Sequence, residues 1–307
     1  MNSVQLGKSD LTVSRLAYGC MRIAGTWNPK EITPEREANG RAALLAAYEA
    51  GYTLFDHADI YCAGGCESIH GRLLKDSPEL RRQTILATKC GIRFGDDKSP
   101  HRFDFSKEHI LWSVDQSLER LGVEQIDLYQ LHRPDVLMEP AEVAEAFEIL
   151  HRQGKVKWFG VSNFFPNQYD LLAQFVPFPL VVNQLEMHLG YLDPFVNGTT
   201  DQCQARQVTP LAWSPLGGGW LGAGGKVPEG DKREKILEVL DVHAAKYGVS
   251  RTVMSLAWLM RHPSGIIPIV GSANPVNIAD AAKADGIHLE RDDWYRIYIS
   301  ARGRGLP

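Results

Sequence analysis

Short aliphatic and β-branched runs alternate with amphipathic stretches along almost the whole chain, and this restricts the fold more than any other feature. A stretch that opens with a capping hydroxyl and a proline, Thr33-Pro34-Glu35, closes at Gly51. Those ends predict a helix. The strand-like run Thr53-Leu54-Phe55-Asp56 follows it. Further strand-like runs are Thr84–Thr88, Ile126–Leu131, Val156–Val161, Leu180–Asn183, Val208–Trp213 and Ile266–Ile269. Helical patterns lie between them, near Glu67–Lys75, on the faces Ile110/Val114/Leu118/Leu121 and Val143/Ala146/Phe147/Leu150, and over Gln168–Ala173. A less regular helical stretch precedes Val208, and helices near Lys232–Tyr247, Thr252–Arg261 and Val276–Ala284 complete the series.

Strict alternation predicts a parallel sheet with right-handed crossovers. Close to eight strand-helix units in roughly 250 residues match a closed (β/α)8 barrel. An open doubly wound sheet is the competitor. Closure is favoured because reactive side chains sit at many successive strand ends, and these converge only on a closed sheet. Val4-Gln5-Leu6-Gly7 and Thr12-Val13-Ser14 predict a hairpin that plugs the bottom, and Asp292-Asp293-Trp294 starts a C-terminal helix. No composition shift marks a second domain, so residues 1–307 are expected to form one domain.

The 307-residue chain is 44% hydrophobic and carries 33 basic and 37 acidic side chains, a formal net charge of −4. That balance gives no reason to expect nucleic acid or an anionic membrane as partner. Five cysteines, an odd number, and an N-terminus without a basic start or apolar run point to reduced thiols and a cytoplasmic setting. No apolar stretch is long enough to span a bilayer. Oligomeric state leaves no mark in the sequence.

Asp56, Tyr61, Lys89 and His132 sit at or just past three successive strand ends. Together they can make one proton-donating site. A phenol has a pKa near 10 and is a poor acid at neutral pH. A nearby ammonium lowers it, and a carboxylate keeps that ammonium charged and placed. An imidazole can orient a carbonyl or relay its proton. His57 and Asp59 are too closely spaced to indicate a metal, and are expected to be packing or hydrogen-bonding neighbours.

Phe55-Asp56-His57-Ala58-Asp59-Ile60-Tyr61, Thr88-Lys89-Cys90-Gly91 and Leu131-His132-Arg133-Pro134 resemble the catalytic segments of the aldo-keto reductase superfamily, of the bacterial NADP-dependent type. The likeness runs from about Leu16 to about Ala284. It implies a nicotinamide-dependent reductase of aldehydes or ketones. Tyr61 is then the general acid, Lys89 lowers its pKa, Asp56 fixes Lys89, and His132 binds the carbonyl oxygen or helps the proton move.

By the same resemblance, Ser162, Asn163 and Gln184 hold the nicotinamide carboxamide and Trp213 stacks on its ring. The loop from Ser214 and Leu216 through Gly218 folds over the pyrophosphate. Gly217-Gly218-Gly219-Trp220-Leu221-Gly222 formally matches G-x-G-x-x-G, but no amphipathic helix opens at its third glycine, so a Rossmann reading is rejected. Gly271, Ser272, Asn274, Asn277 and Asp280 fall where the family binds the adenosine and its 2′-phosphate. Asn274-Pro275 also predicts a helix start, an anion site by geometry. The positions of Gly271, Asn274 and Asn277 often carry Lys or Arg in relatives that prefer the phosphorylated cofactor. All three are neutral here, so NADP is expected, with NAD as the second option.

Two rival readings stand beside this one. The first is a slow-turnover, cofactor-binding regulatory protein of the same fold. The second is a metal-dependent barrel hydrolase using His57, Asp59 and His132. Cys62 and Cys66 are expected to be turn thiols. Trp27, Phe103 and Tyr191 suggest an aromatic-lined substrate pocket.

Overall fold

A computed structural model describes residues 1–307. The chain starts with the antiparallel hairpin β1 (Ser3–Gln5) and β2 (Thr12–Ser14). The barrel strands are β3 (Ala17–Gly19), β4 (Leu54–Asp56), β5 (Ile85–Cys90), β8 (Ile126–Leu131), β9 (Val156–Ser162), β10 (Leu180–Glu186), β11 (Thr209–Trp213) and β12 (Ile267–Val270). They close in the order β10-β11-β12-β3-β4-β5-β8-β9, every barrel pairing parallel. Between β5 and β8 a small antiparallel pair, β6 (Ile92–Arg93) and β7 (Arg102–Phe103), stands outside the barrel.

Helices surround the sheet: α1 (Pro34–Glu49), α2 (Gly65–Asp76), α3 (Pro78–Arg81), α4 (Lys107–Leu121), α5 (Pro140–Arg152), α6 (Pro166–Ala173), α7 (Thr199–Arg206), α8 (Glu234–Tyr247), α9 (Arg251–Met260), α10 (Pro275–Ala282) and α11 (Arg291–Arg302). The ends follow from the sequence. Thr33 caps α1 by accepting from the Arg36 N–H, and proline begins the helix. Gly122, at φ 65, ends α4 in the left-handed conformation that glycine adopts at least cost. The inner face of α4 buries Ile110, Val114 and Leu121 completely. Each such side chain contributes about 1.5–3 kcal/mol.

Alternation along each strand divides the barrel interior into an apolar floor and a reactive ceiling. Leu54, Ala87, Leu128, Val182 and Leu211 belong to one buried apolar cluster with Leu6, Leu11 and Val13 of the hairpin. Two positions further along the same strands come Asp56, Lys89, Gln130, Gln184 and Trp213. Side chains two apart share a face of a strand, so the polar set stands above the apolar one. The hairpin closes the floor at Gly7, where a Cβ would come within 2.3 Å of the Val181 carbonyl oxygen. The fully buried Glu67 accepts from Thr88 Oγ1 and Arg120 Nε, at 2.6 Å each, and ties α2, β5 and α4 together.

The pattern-derived boundaries agree with the observed elements to within a few residues. The first barrel strand, Ala17–Gly19, was not among the predicted runs. It is three residues long, too short to display a period. No helix is long and apolar enough to cross a membrane.

Candidate active site

The centre of the site is the Lys89 ammonium. It is fully buried and donates to Asp56 Oδ2 at 2.8 Å, to the His57 carbonyl oxygen at 2.7 Å and to Tyr61 Oη at 3.2 Å. An ammonium has three hydrogens, and each has a partner here. Burial works against the charge, but Asp56 and Tyr61 outweigh it and hold Lys89 above its ordinary range. The second carboxylate oxygen of Asp56 accepts from Gln184 Nε2 at 2.7 Å.

Tyr61 reaches this group because the chain turns sharply after it. Cys62 and Ala63 lie at φ 50 and 49, followed by Gly64 at φ 85. Left-handed backbone at two non-glycine residues costs roughly 1–2 kcal/mol each. It is retained where Tyr61 and Cys62 are packed under the cavity. The Tyr61 pKa departs from expectation in its net direction. Burial pushes the phenol up, Lys89 pulls it down, Asp56 pushes it up again, and the balance stands at about 12. Lys89 therefore moderates the cost of burial rather than producing an acidic phenol. The phenol keeps its proton at neutral pH, the state a donor needs.

The His132 ring lies edge-on to Tyr61, with centroids 6.1 Å apart. Burial, Lys89 and Arg133 hold it well below its usual pKa, so it is neutral. A neutral imidazole beside a phenol gives two groups able to hydrogen-bond one carbonyl oxygen.

Asp56, Tyr61 and His132 open into a cavity of about 530 Å³, which Ser162, Asn163, Gln184, Trp213, Ser214, Leu216, Gly218, Gly271, Ser272 and Asn277 also line. Asn274 and Asp280 do not line it. The Asn274 side chain caps α10 by accepting from the Val276 N–H. The Asp280 carboxylate accepts from Ser250 Oγ and Lys283 Nζ.

Asn163, at φ 62, ends β9 and is engaged on both sides of its amide. Its Nδ2 donates to the His132 carbonyl oxygen and to Ser162 Oγ, and its Oδ1 accepts from Trp213 Nε1 at 3.0 Å. That last bond fixes the Trp213 plane. Capacity for a carboxamide is left over: one Gln184 N–H, the Gln184 Oε1 and a second lone pair on Asn163 Oδ1. The glycines fit a close-lying chain of phosphates. Gly218 (φ 74) and Gly219 (φ 112) have nothing within 4 Å of an ideal Cβ, and neither has Gly271. The donor set and the open glycine rim therefore fit a nicotinamide dinucleotide.

Two expectations are corrected. Phe103 and Tyr191 do not line the cavity, whereas Trp27 does, packed edge-on to Tyr61 at 6.4 Å. The hydrolase reading fails on geometry, because His57, Asp59 and His132 do not gather as ligands. The His57 ring is bonded to His70, and Asp59 accepts from Ser113 Oγ at 2.8 Å. Cys62 and Cys66 are buried and free, as are the other three cysteines.

Sequence reasoning missed Arg133 and Thr252, which line the cavity too. It also missed how the glycine loop is held. Thr252 Oγ1 accepts from the Ala223 N–H, and Arg251 donates to the Gly225 carbonyl oxygen at 2.8 Å while paired with Asp241. These residues open α9, and nothing in their spacing points back to the loop.

Comparison with known proteins agrees with this geometry. The chain is 40% identical to the uncharacterized oxidoreductase YcsN of Bacillus subtilis over 318 aligned positions, covering 100% of both chains. It is 40% identical to a 6-dehydroglucose reductase of Novosphingobium aromaticivorans, covering 99% of this chain and 96% of that one. Among solved structures, an aldo-keto reductase of Bacillus halodurans in its holo form superposes with a TM-score of 0.80 at 26% identity, covering 98% of this chain and 96% of the other. The aldo/keto reductase family matches residues 15–301. The chain belongs to that family, the oxidoreductases that reduce carbonyl groups with a nicotinamide cofactor.

Proposed function

We propose that Tyr61 donates the proton in this reduction, with Asp56, Lys89 and His132 as its partners, and that NADPH is the preferred reductant. One observation carries the proposal. A buried ammonium is shared by a carboxylate and a phenol at 2.8 and 3.2 Å, with a neutral imidazole across the same cavity. The bound dinucleotide supplies the hydride. The chain's part is to hold the carbonyl oxygen between Tyr61 and His132 and to deliver the Tyr61 proton as negative charge grows there. That charge exists only in the transition state, so prearranged donors lower the barrier. Lys89, charged throughout, stabilises the phenolate left behind. Asp56 keeps Lys89 in place.

For the cofactor, we assign the carboxamide to Ser162, Asn163 and Gln184, and the ring face to Trp213. The pyrophosphate goes to the loop of Ser214, Leu216 and Gly218, and the adenosine end to Gly271, Ser272 and Asn277, with Asn274 and Asp280 flanking it on α10 as helix cap and hydrogen-bond partner of Ser250. The α10 N-terminus supports a bound 2′-phosphate without any basic residue in that segment. We assign a single domain over residues 1–307 and a cytoplasmic setting.

The substrate is proposed to be a small, oxygen-rich aldehyde or ketone. The named activity of the Novosphingobium relative and of an Agrobacterium fabrum relative at 37% identity, 6-dehydroglucose reductase, points that way. So does the cavity wall. Besides Asp56, its only charged side chains are Arg22 and Arg133, and neither is paired with a carboxylate. Unengaged guanidinium N–H groups suit substrate oxygens. The test is cofactor oxidation over a panel of sugar aldehydes, simple aldehydes and ketones, with NADPH and NADH. Turnover of hydroxylated aldehydes with NADPH supports the reading. Absence of turnover across the panel contradicts it.

A further inference from the structure

Behind the tetrad runs a line of polar groups that the proposed chemistry does not use. His57 and His70 are both fully buried. His57 Nε2 and His70 Nδ1 are 2.9 Å apart, and His70 Nε2 is 2.9 Å from Tyr48 Oη. Tyr48 Oη in turn lies 2.6 Å from Thr84 Oγ1, which is 2.6 Å from the Leu80 carbonyl oxygen.

The hydrogens can be placed by elimination. The Leu80 carbonyl only accepts, so the Thr84 hydroxyl donates to it. Thr84 then accepts from Tyr48, and Tyr48 accepts from His70 Nε2–H. That leaves His70 Nδ1 bare, to accept from His57 Nε2–H. Every bond is satisfied once, with both imidazoles neutral. Burial lowers both rings in pKa, His57 well below its usual value and His70 to about 3. The His57 Nδ1 atom has no partner.

Cys20 lies near the pair, with its sulfur and the ring nitrogens within 4.8 Å of one another. A metal does not account for the trio. Two nitrogens bound to one tetrahedral zinc lie about 3.3 Å apart, and the observed 2.9 Å is a hydrogen bond. The Lys89 charge also acts on His57, which opposes a cation there.

The near end of the line is what gives it meaning. The His57 N–H donates to the Ala87 carbonyl oxygen at 2.8 Å, which pins that side of the residue to β5. Its ring is held from the opposite side by α2 and α1 through His70 and Tyr48. From the same Cα, fixed by these two attachments, branches the carbonyl that accepts from Lys89 at 2.7 Å.

We propose that Tyr48, His70 and His57 form a hydrogen-bonded brace that sets the His57 carbonyl, and through it the Lys89 ammonium, in register with Tyr61. They are positioning residues; none lines the cavity. The proposal rests on the reading of Tyr61 as proton donor. Asp56, Tyr61, Cys20 and His132 also face Lys89 electrostatically, and each is left intact by the test.

His70→Leu removes the acceptor for His57 Nε2–H. His70→Asn places an amide oxygen near the lost Nδ1 and restores it. Tyr48→Phe cuts the brace one link further out. The readouts are kcat against pH at saturating NADPH, KM, the NADPH dissociation constant and the melting temperature. In His70→Leu, kcat should fall roughly tenfold to a hundredfold, as displacement of a reacting group does. NADPH affinity should hold, and the alkaline limb of the kcat profile should shift, because the Lys89–Tyr61 contact that influences both groups is displaced. Asn should recover most of both effects, and Tyr48→Phe should show a smaller change in the same direction. If the Leu variant does not fold, Tyr48→Phe decides: an unshifted limb with unchanged kcat overturns the brace. So does a folded Leu variant with a wild-type profile, or an Asn variant no better than Leu. Wild-type protein that turns over no carbonyl would instead overturn the assignment of Tyr61.

Discussion

Replacing Lys89 with methionine keeps the length of the side chain and removes its charge. The structure sets the consequence. Asp56 is 3% exposed and keeps only its bond from Gln184 Nε2, while the His57 carbonyl and Tyr61 each lose a donor. Breaking a buried ion pair from one side costs about 3–5 kcal/mol, because a desolvated charge is left without compensation. That is a large share of the 5–15 kcal/mol typical of a folded domain. Removing the second charge as well should relieve most of it. Lys89→Met/Asp56→Asn is therefore predicted to be at least ~2 kcal/mol more stable than Lys89→Met alone. Activity should not follow stability, since both variants lack the ammonium that stabilises a Tyr61 phenolate. Urea unfolding followed by tryptophan fluorescence, paired with kcat, separates the two quantities. A single variant as stable as wild type, or a double variant no better than the single, would refute the reasoning.

Asp59 is half-buried, but one of its carboxylate oxygens is enclosed and unpartnered, and desolvation pushes its pKa up to about 7. The folded state then binds a proton that the unfolded chain gives up near pH 4. Stability should fall with rising pH across that window, by up to ~1.4 kcal/mol per unit, and level off above it. Asp59→Asn should abolish this slope in denaturation curves taken from pH 4 to 8. The five cysteines are free and buried, so melting temperature should be the same with and without reductant; a large loss on reduction would contradict this. The neutral Asn277 lines the cavity at the adenosine end. Asn277→Arg should tighten NADPH binding about tenfold, the value of one charge-assisted pair, and leave NADH binding unchanged. Fluorescence quenching with each cofactor measures both.

The barrel was legible because its signals are periodic. Most barrel strands after the first run four to seven residues and show their pattern, and Thr33-Pro34 and Gly122 mark helix ends by rules that tertiary packing did not override. The gathering of Asp56, Tyr61, Lys89 and His132 was legible because they sit at or just past strand ends, and a closed barrel gathers strand ends by construction. Other features follow no local rule. The strand Ala17–Gly19 is held by its neighbours on both sides, not by its own pattern. The line from Thr84 through Tyr48 and His70 to His57 joins four separate segments, so no window of sequence contains it. The Tyr61 pKa is a balance of burial against Lys89, and burial is invisible before the chain is folded. Phe103 was misplaced because it belongs to the β6–β7 pair, and Tyr191 because a bridge between His188 and Tyr191 shapes its loop.

The most direct test of the account is Tyr61→Phe. The substitution keeps the ring and its packing against Trp27 and His132 but deletes the one oxygen from which the proton is to come. With NADPH and the best aldehyde of the panel, kcat should fall by ~100-fold or more, the usual worth of a general acid. The NADPH dissociation constant should stay within about twofold, because no assigned cofactor contact is lost. Near-normal turnover in a variant that still binds NADPH would contradict the account and remove Tyr61 from the role.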